Sequence, residues 1–388
     1  MPSARLISRL RRIDWDFAGS YSDSPFSAIH WHPGRFASQL PATLIGLLSR
    51  PGQLVVDPFA GSGTTLVEAQ RLSRRSVGID LNPISCLVAR AKTMTVPAKA
   101  IENSVKTIKE DAAGHVGRQM TTSAGPRIDP LVPDAVQAKK WYTHCVAESL
   151  GVLWHLLQAH RGTERILAEA AFSAILLPVC RETRHWGYVC DNSSPKGRHE
   201  GNVLDEYCRL LDRLCEGYRD RDAELVARLG RADDILEEAK VVCADARVAL
   251  QDIPAGSVDL VVTSPPYFGV TDYVKAQRLS MEWFGFAIEP FRRMEIGARS
   301  KRHRGSADND YVAELTAVFR SVRKCLRPGG ICAVIVGESS TRGSILHQCR
   351  EGLQSCRFSL ELHVNRRVSS QRRQAPSIKS EHLFVLSR

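Results

Sequence analysis

The chain has 388 residues, 43% hydrophobic and 24% charged, a balance that excludes a disordered tail, a fibrous repeat and a membrane bundle. Its length suits one large domain with an insertion, or two domains. Lys and Arg number 53 against 42 Asp and Glu, a net charge of +11; most cations are arginines, whose planar forks pair bidentately with phosphate, so a polyanionic partner competes with a plain basic enzyme.

No apolar run reaches the roughly 18 residues that would span a bilayer. Residues 1–17 carry basic side chains without a continuous apolar stretch or a cleavage site, so the segment reads as uncleaved and the chain as cytoplasmic, with no membrane partner. The eleven cysteines include no Cys-x-x-Cys pair. They read as reduced, mostly buried thiols, and no metal site is expected.

In chain order, the apolar run 53–56 ends in Asp57-Pro58 and a glycine turn, Phe59-Ala60-Gly61-Ser62-Gly63-Thr64-Thr65. An apolar pattern follows through Leu66, Val67, Ala69 and Leu72, so the segment reads as strand, turn and helix. A second strand, 76–80, ends in Asp80 and is followed by Asn82-Pro83 and another helix. From about 95 to 240 the spacing becomes helical, as in Leu150, Leu153, Trp154 and Leu157, and again in Leu204, Tyr207, Cys208, Leu211, Leu214, Cys215 and Tyr218. A loop at 181–201 interrupts it. Strands resume at 240–246, 257–264 and 330–338, the last after the turn Arg327-Pro328-Gly329-Gly330. The alternating run 358–364 and the run 382–386 predict an antiparallel hairpin at the sheet edge.

Ligands of an open parallel sheet sit at the carboxyl ends of its strands, and here those ends carry chemistry. Gly61 and Gly63 let loop amides face a ligand. Asp80 lies 23 residues beyond Asp57, near the roughly 20-residue offset of an acid that binds ribose hydroxyls. Asp245 is placed to accept from an adenine amino group. The turn lacks both the dinucleotide fingerprint and the Gly-Lys-Ser/Thr of a P-loop, which argues against dinucleotide and triphosphate. At the fourth strand end, Thr263-Ser264-Pro265-Pro266-Tyr267 removes two amide donors, leaving carbonyls and the Ser264 hydroxyl to accept from another group. Tyr267 adds a ring that could stack on a base. Together these suit an exocyclic amine on a nucleobase.

These motifs resemble those of the S-adenosylmethionine-dependent amino-methyltransferases of DNA. Residues 57–65 resemble the family's cofactor motif, residues 78–83 its acidic motif, residues 244–247 its third motif and residues 263–267 its catalytic motif. His32-Pro33-Gly34-Arg35-Phe36 resembles the element that folds over the methionine part of the cofactor. The resemblance covers about 30–95 and 240–388. It implies an α/β fold: a Rossmann-like class I methyltransferase sheet, mostly parallel with an antiparallel edge hairpin, and a largely helical insertion. It also implies S-adenosyl-L-methionine as cofactor, held by His32, Phe36, Asp57, Pro58, Phe59, Gly61, Gly63, Thr64, Thr65, Asp80, Asn82, Asp245 and Ala246. The catalytic residues would be Ser264, Pro265, Pro266 and Tyr267, acting on a flipped-out base.

The expected organisation is 1–95 as the cofactor part, 96–239 as a helical insertion suited to DNA binding or target recognition, and 240–388 as the catalytic part. Within the family the Ser-Pro-Pro-Tyr form leans toward cytosine N4, with adenine N6 as the alternative. An RNA base-amine methyltransferase and a non-catalytic DNA-binding homologue are weaker readings, because the family's RNA enzymes usually show Asp-Pro-Pro-Tyr and both motifs here are whole. The insertion falls between the second and third strands, where most family orders do not place target recognition, so sequence specificity is not localised by analogy. Basic residues beside aromatics nominate Arg184, Trp186, Tyr188, Lys196 and Arg198, then Arg299, Lys301, Arg302 and Arg304, then Arg372 and Arg373 as DNA contacts. The partners implied are DNA and a cognate restriction endonuclease; oligomeric state is left open.

Overall fold

The computed structural model describes residues 3–17, 24–30, 32, 34, 37–119, 131–182, 195, 202–229, 239–301, 303, 305–339, 344–367 and 378–388. The chain starts with α1 (Ala4–Arg11) and α2 (Gln39–Leu48), then alternates β1 (Leu54–Asp57), α3 (Thr64–Arg71), β2 (Arg75–Asp80) and α4 (Pro83–Thr93). Asn82 caps α4 by accepting from the Ile84 amide at 3.0 Å, with Pro83 in the first turn where no amide partner is needed. The helical insertion contributes α5 (Ala98–Gln119), α6 (Ala138–Trp141), α7 (His144–Leu157), α8 (Gly162–Ile175) and α9 (Val203–Leu229).

The chain returns through β3 (Ala239–Cys243), α10 (Ala246–Ala249), β4 (Val258–Thr263), α11 (Tyr273–Ala276), α12 (Arg278–Trp283), α13 (Ile288–Met294) and α14 (Ala307–Cys325). It finishes with β5 (Leu326–Ser339), α15 (Ser344–Ser355), β6 (Ser359–Arg367) and β7 (Ile378–Ser387). The sheet order is β3-β2-β1-β4-β5-β7-β6, parallel from β3 to β5, with β7 antiparallel to both neighbours. This is a Rossmann-like methyltransferase sheet, and every parallel strand points its carboxyl end to the same rim.

The antiparallel hairpin forms, but its second strand does not lie at the edge. β7 slots between β5 and β6, so only β6 is outermost. Strand β3 stops at Cys243, because Asp245 turns the chain by capping α10 through the Arg247 amide at 2.8 Å. The Arg327–Gly330 turn is a bulge inside β5: Val258 pairs with Leu326, yet Leu260 pairs with Ile331. Helix α1 had no signal in the sequence reading. It packs on β6, where the Arg367 amide donates to Asp16 at 2.7 Å.

Two apolar layers cover the sheet. Leu40, Leu44, Val55, Leu260, Ile335 and Leu383 fill one face, and Val261, Val318, Phe319, Val334 and Phe384 the other. The insertion does not have a core to itself. Trp141, Phe172, Tyr207 and Leu214 pack together with Phe26, Ile29, Leu279 and Trp283, which lie outside residues 96–239. Arg221 and Tyr218 on α9 fasten it to the chain after α4. Arg221, 1% exposed, donates Nη1 to the Met94 carbonyl at 2.6 Å and Nη2 to the Val96 carbonyl at 2.8 Å. The Tyr218 hydroxyl donates to the Ala91 carbonyl at 2.9 Å, and Asp222 accepts from the Ala98 amide at 2.7 Å.

Candidate active site

The carboxyl ends of β1, β2 and β4 border a solvent-open cleft. Its wall includes Pro58, Phe59, Gly61, Thr64, Asp80, Asn82, Asp245, Ala246, Ser264, Pro265 and Pro266, with His32 and Gly34 from the upstream element. Residues from both the cofactor and the catalytic motifs therefore border one space.

Asp80 organises the floor. Its Oδ2 accepts from the Gly61 amide and its Oδ1 from the Asn82 amide, both at 2.8 Å. Burial pushes its carboxyl up to about 6, against those two amide bonds, with the nearby Asp57 adding to the rise. Gly61 has φ of 51°, and a Cβ there would stand 3.0 Å from the His32 ring. The glycine thus permits both the turn and the close approach of the imidazole. The His32 Nε2 lies 3.2 Å from Ser85 Oγ.

Asp57 plays a different part from the one expected. It is 1% exposed and does not border the cleft; its oxygens accept from Thr263 Oγ1 at 2.6 Å, Thr65 Oγ1 at 2.7 Å and the Phe59 amide at 3.0 Å. It fastens β1, α3 and β4 together behind the wall, and burial raises its carboxyl to about 6. Gly63 and Thr65 likewise sit behind the lining. Asp245 does border the cleft, but its carboxylate is occupied by Arg247, which bonds both oxygens with Nε at 2.9 and 3.0 Å and Oδ2 with Nη2 at 2.5 Å. The expected adenine contact therefore competes with a guanidinium, which also bonds Glu314 and the Met294 carbonyl.

The catalytic motif divides in two. Ser264, Pro265 and Pro266 line the cleft, whereas the Tyr267 ring is 6% exposed and turned into the protein. The expectation that this ring stacks on a base gives way to a packing role. The Pro266 carbonyl is engaged as well, accepting from the Tyr311 hydroxyl at 2.8 Å.

Phe36, Arg184, Trp186, Tyr188, Lys196, Arg198, Arg302, Arg304, Arg372 and Arg373 lie outside the described residues. Arg299 is exposed. Lys301 is turned to backbone, donating to the Arg293 carbonyl at 3.0 Å and the Glu295 carbonyl at 2.5 Å, so it holds residues 293–295 in place.

Sequence reasoning missed Tyr273 and Glu295, which also border the cleft. The available signal was Glu295 standing as the one acid in the basic run 291–304. Its carboxyl is 4% exposed; Oε1 accepts from the Tyr273 amide, and Oε2 has no partner among the described residues. Burial drives it up to about 8, with Asp272 adding and Lys301 opposing. The fold therefore favours the protonated form. As pH rises from about 4.5 to about 8 the unfolded chain sheds this proton first, and stability is lost across that window. Glu295→Gln should melt higher than the unaltered chain at pH 8 and alike at pH 4.5. Parallel melting curves at both pH values would refute this.

The sheet order and the cleft at its carboxyl rim are those of a Rossmann-like fold of the class I methyltransferase type. Residues 15–90 match the DNA methylase family of N6 and N4 enzymes. The type II methyltransferase M.MjaII of Methanocaldococcus jannaschii is 20% identical, across 84% of this chain and 76% of its own. M.SmaI of Serratia marcescens is 32% identical over 28% of this chain and 29% of its own. Among solved structures, geranyl diphosphate C-methyltransferase of Streptomyces coelicolor A3(2) is 9% identical over 90% of this chain and 79% of its own, with a TM-score of 0.35. The similarity to the DNA methylase family is thus carried by residues 15–90, which hold the first two strands and the Gly61 turn. Among the described residues, no helix is long and apolar enough to cross a membrane.

Proposed function

We propose that the chain methylates the exocyclic N4 of a flipped-out cytosine in DNA. The observation that carries this reading is the single cleft bordered by Asp80 and the Gly61 turn on one side and by Ser264-Pro265 on the other. The donor fits this wall by its chemistry: Asp80 is a half-buried acceptor for hydroxyls, and Gly61 borders the cleft with no side chain. S-adenosylmethionine supplies a methyl group on a sulfonium that is already a good leaving group.

The chain's own work is positioning. Ser264 Oγ and the Pro265 carbonyl accept the two amino hydrogens and draw the nitrogen toward tetrahedral geometry, which frees its lone pair. The bound donor would supply the methyl and keep the carbon–sulfur electron pair, while the nitrogen, once alkylated, would give up one proton to solvent. No enzyme nucleophile is needed, and the sequence lacks the Pro-Cys pair that carbon-5 methylation uses. Ser264 in place of Asp or Asn favours cytosine in this reading. A cognate restriction endonuclease is the partner the reading adds.

DNA incubated with the chain and the donor, then digested to nucleosides, should yield N4-methylcytosine by mass spectrometry. N6-methyladenine in its place would overturn the choice of base. Ser264→Ala should lower turnover by about 100-fold or more, with donor affinity kept within about threefold. Full turnover by that variant would remove Ser264 from its role.

A further inference from the structure

A buried hydrogen-bond chain runs behind the proline motif, and the donor pocket does not require it. It starts at Arg366 on β6, 5% exposed, which donates Nε to the Trp15 carbonyl at 2.9 Å and Nη1 to Glu381 Oε2 at 2.7 Å. Glu381, on β7, is fully buried, and its other oxygen accepts from the Tyr267 hydroxyl at 2.8 Å. The Tyr267 hydroxyl oxygen in turn lies 3.2 Å from Ser264 Oγ. The ring reaches this seat because Gly337 on β5 has no side chain: a Cβ there would come within 2.4 Å of it.

The inventory of donors and acceptors gives the chain a direction. A carboxylate paired with a guanidinium has no proton to offer and accepts at both oxygens. Tyr267 has one hydroxyl hydrogen, and it goes to Glu381. The phenolic oxygen is left to accept, so the hydroxyl that donates to it is Ser264. Ser264 in turn spends its single hydrogen inward, and what it shows to the cleft is lone pairs.

We propose that Glu381 is a positioning residue that, through Tyr267, holds Ser264 as an obligate hydrogen-bond acceptor and thereby selects bases that present an amino group. A base edge with a carbonyl at that position, as in thymine or uracil, meets two acceptors and is refused. The inference rests on the methyl-transfer reading above and adds to it the element that enforces the substrate class. It also gives Tyr267 a function that its buried ring allows.

Tyr267→Phe keeps the ring and removes only the link, which frees the Ser264 hydrogen to rotate toward the cleft. It should lower kcat by about tenfold or more, as expected for the loss of one oriented hydrogen bond, while KM for the donor and donor binding by calorimetry stay within about twofold. Glu381→Gln, whose amide can donate to the phenol and reverse the direction, should show the same split. The deciding measurement is the double variant Ser264→Ala/Tyr267→Phe, which should be no slower than Ser264→Ala alone, because both act through one oxygen. A purely structural Tyr267 would multiply the two losses. Multiplied losses, or full turnover by Tyr267→Phe, overturn the relay while leaving the methyltransferase reading intact. An unaltered chain that binds no donor and methylates no DNA overturns that reading and the relay with it.

Discussion

Asp80→Ala should weaken S-adenosylmethionine binding by about a thousandfold, about 4 kcal/mol. Three losses coincide at this one side chain. The amides of Gly61 and Asn82 lose their shared acceptor, each at a cost of about 1–3 kcal/mol if left buried and unmet, and the cleft loses the acceptor it offers to hydroxyls. The Gly61 turn, on which the His32 ring packs, then has nothing to fix its amide. Because burial raises the Asp80 carboxyl to about 6, donor affinity of the unaltered chain should also decline as pH drops below that value and the acceptor takes up a proton. Calorimetric titration checks both statements. An alanine variant that binds within threefold of the unaltered chain would show that the donor is held elsewhere.

Arg221→Ala is expected to have the largest effect on stability, a loss of about 3 kcal/mol. The guanidinium is 1% exposed and meets the carbonyls of Met94 and Val96, the Asp222 carboxylate and, at 4.5 Å, the Tyr218 ring. Removing it leaves two carbonyls without that donor and Asp222 beside an uncompensated gap. Since these contacts join α9 to the segment that leaves α4, the loss should appear as early release of the insertion, read by urea denaturation with Trp141 and Trp154 as reporters within it. A variant with an unchanged midpoint would mean that the apolar core around Trp283 and Phe172 holds the insertion unaided.

Local sequence carried the parts of this fold that are decided locally. The Asp57 to Thr65 turn, the acid at the end of β2 and the 3.6-residue spacing in α7 and α9 each depend on neighbours within a few positions, and the structure has them where the pattern put them. Elements settled by distant partners were not legible. Nothing near 382–386 says that this strand enters between β5 and β6, since that depends on pairing with residues 331–339 and 359–367. The fate of Tyr267 was hidden for the same reason: its hydroxyl partner, Glu381, is 114 residues away. Asp245 and Asp57 read as ligand-facing acids because motif position reveals which strand end a residue occupies, whereas the direction of a side chain follows from Arg247 in one case and from Thr65 and Thr263 in the other.

The placement of β7 sets an order of events for a chain emerging from the ribosome. All other strands are made before it, yet β5 and β6 have no direct pairing and meet only across it. Until residues 378–387 arrive, the apolar stretch Ile331–Val336 presents a bare edge, open to pairing with a foreign strand. The same late segment delivers Glu381, so a nascent protein clipped before β7 would be both sticky and without the carboxylate that orients its serine.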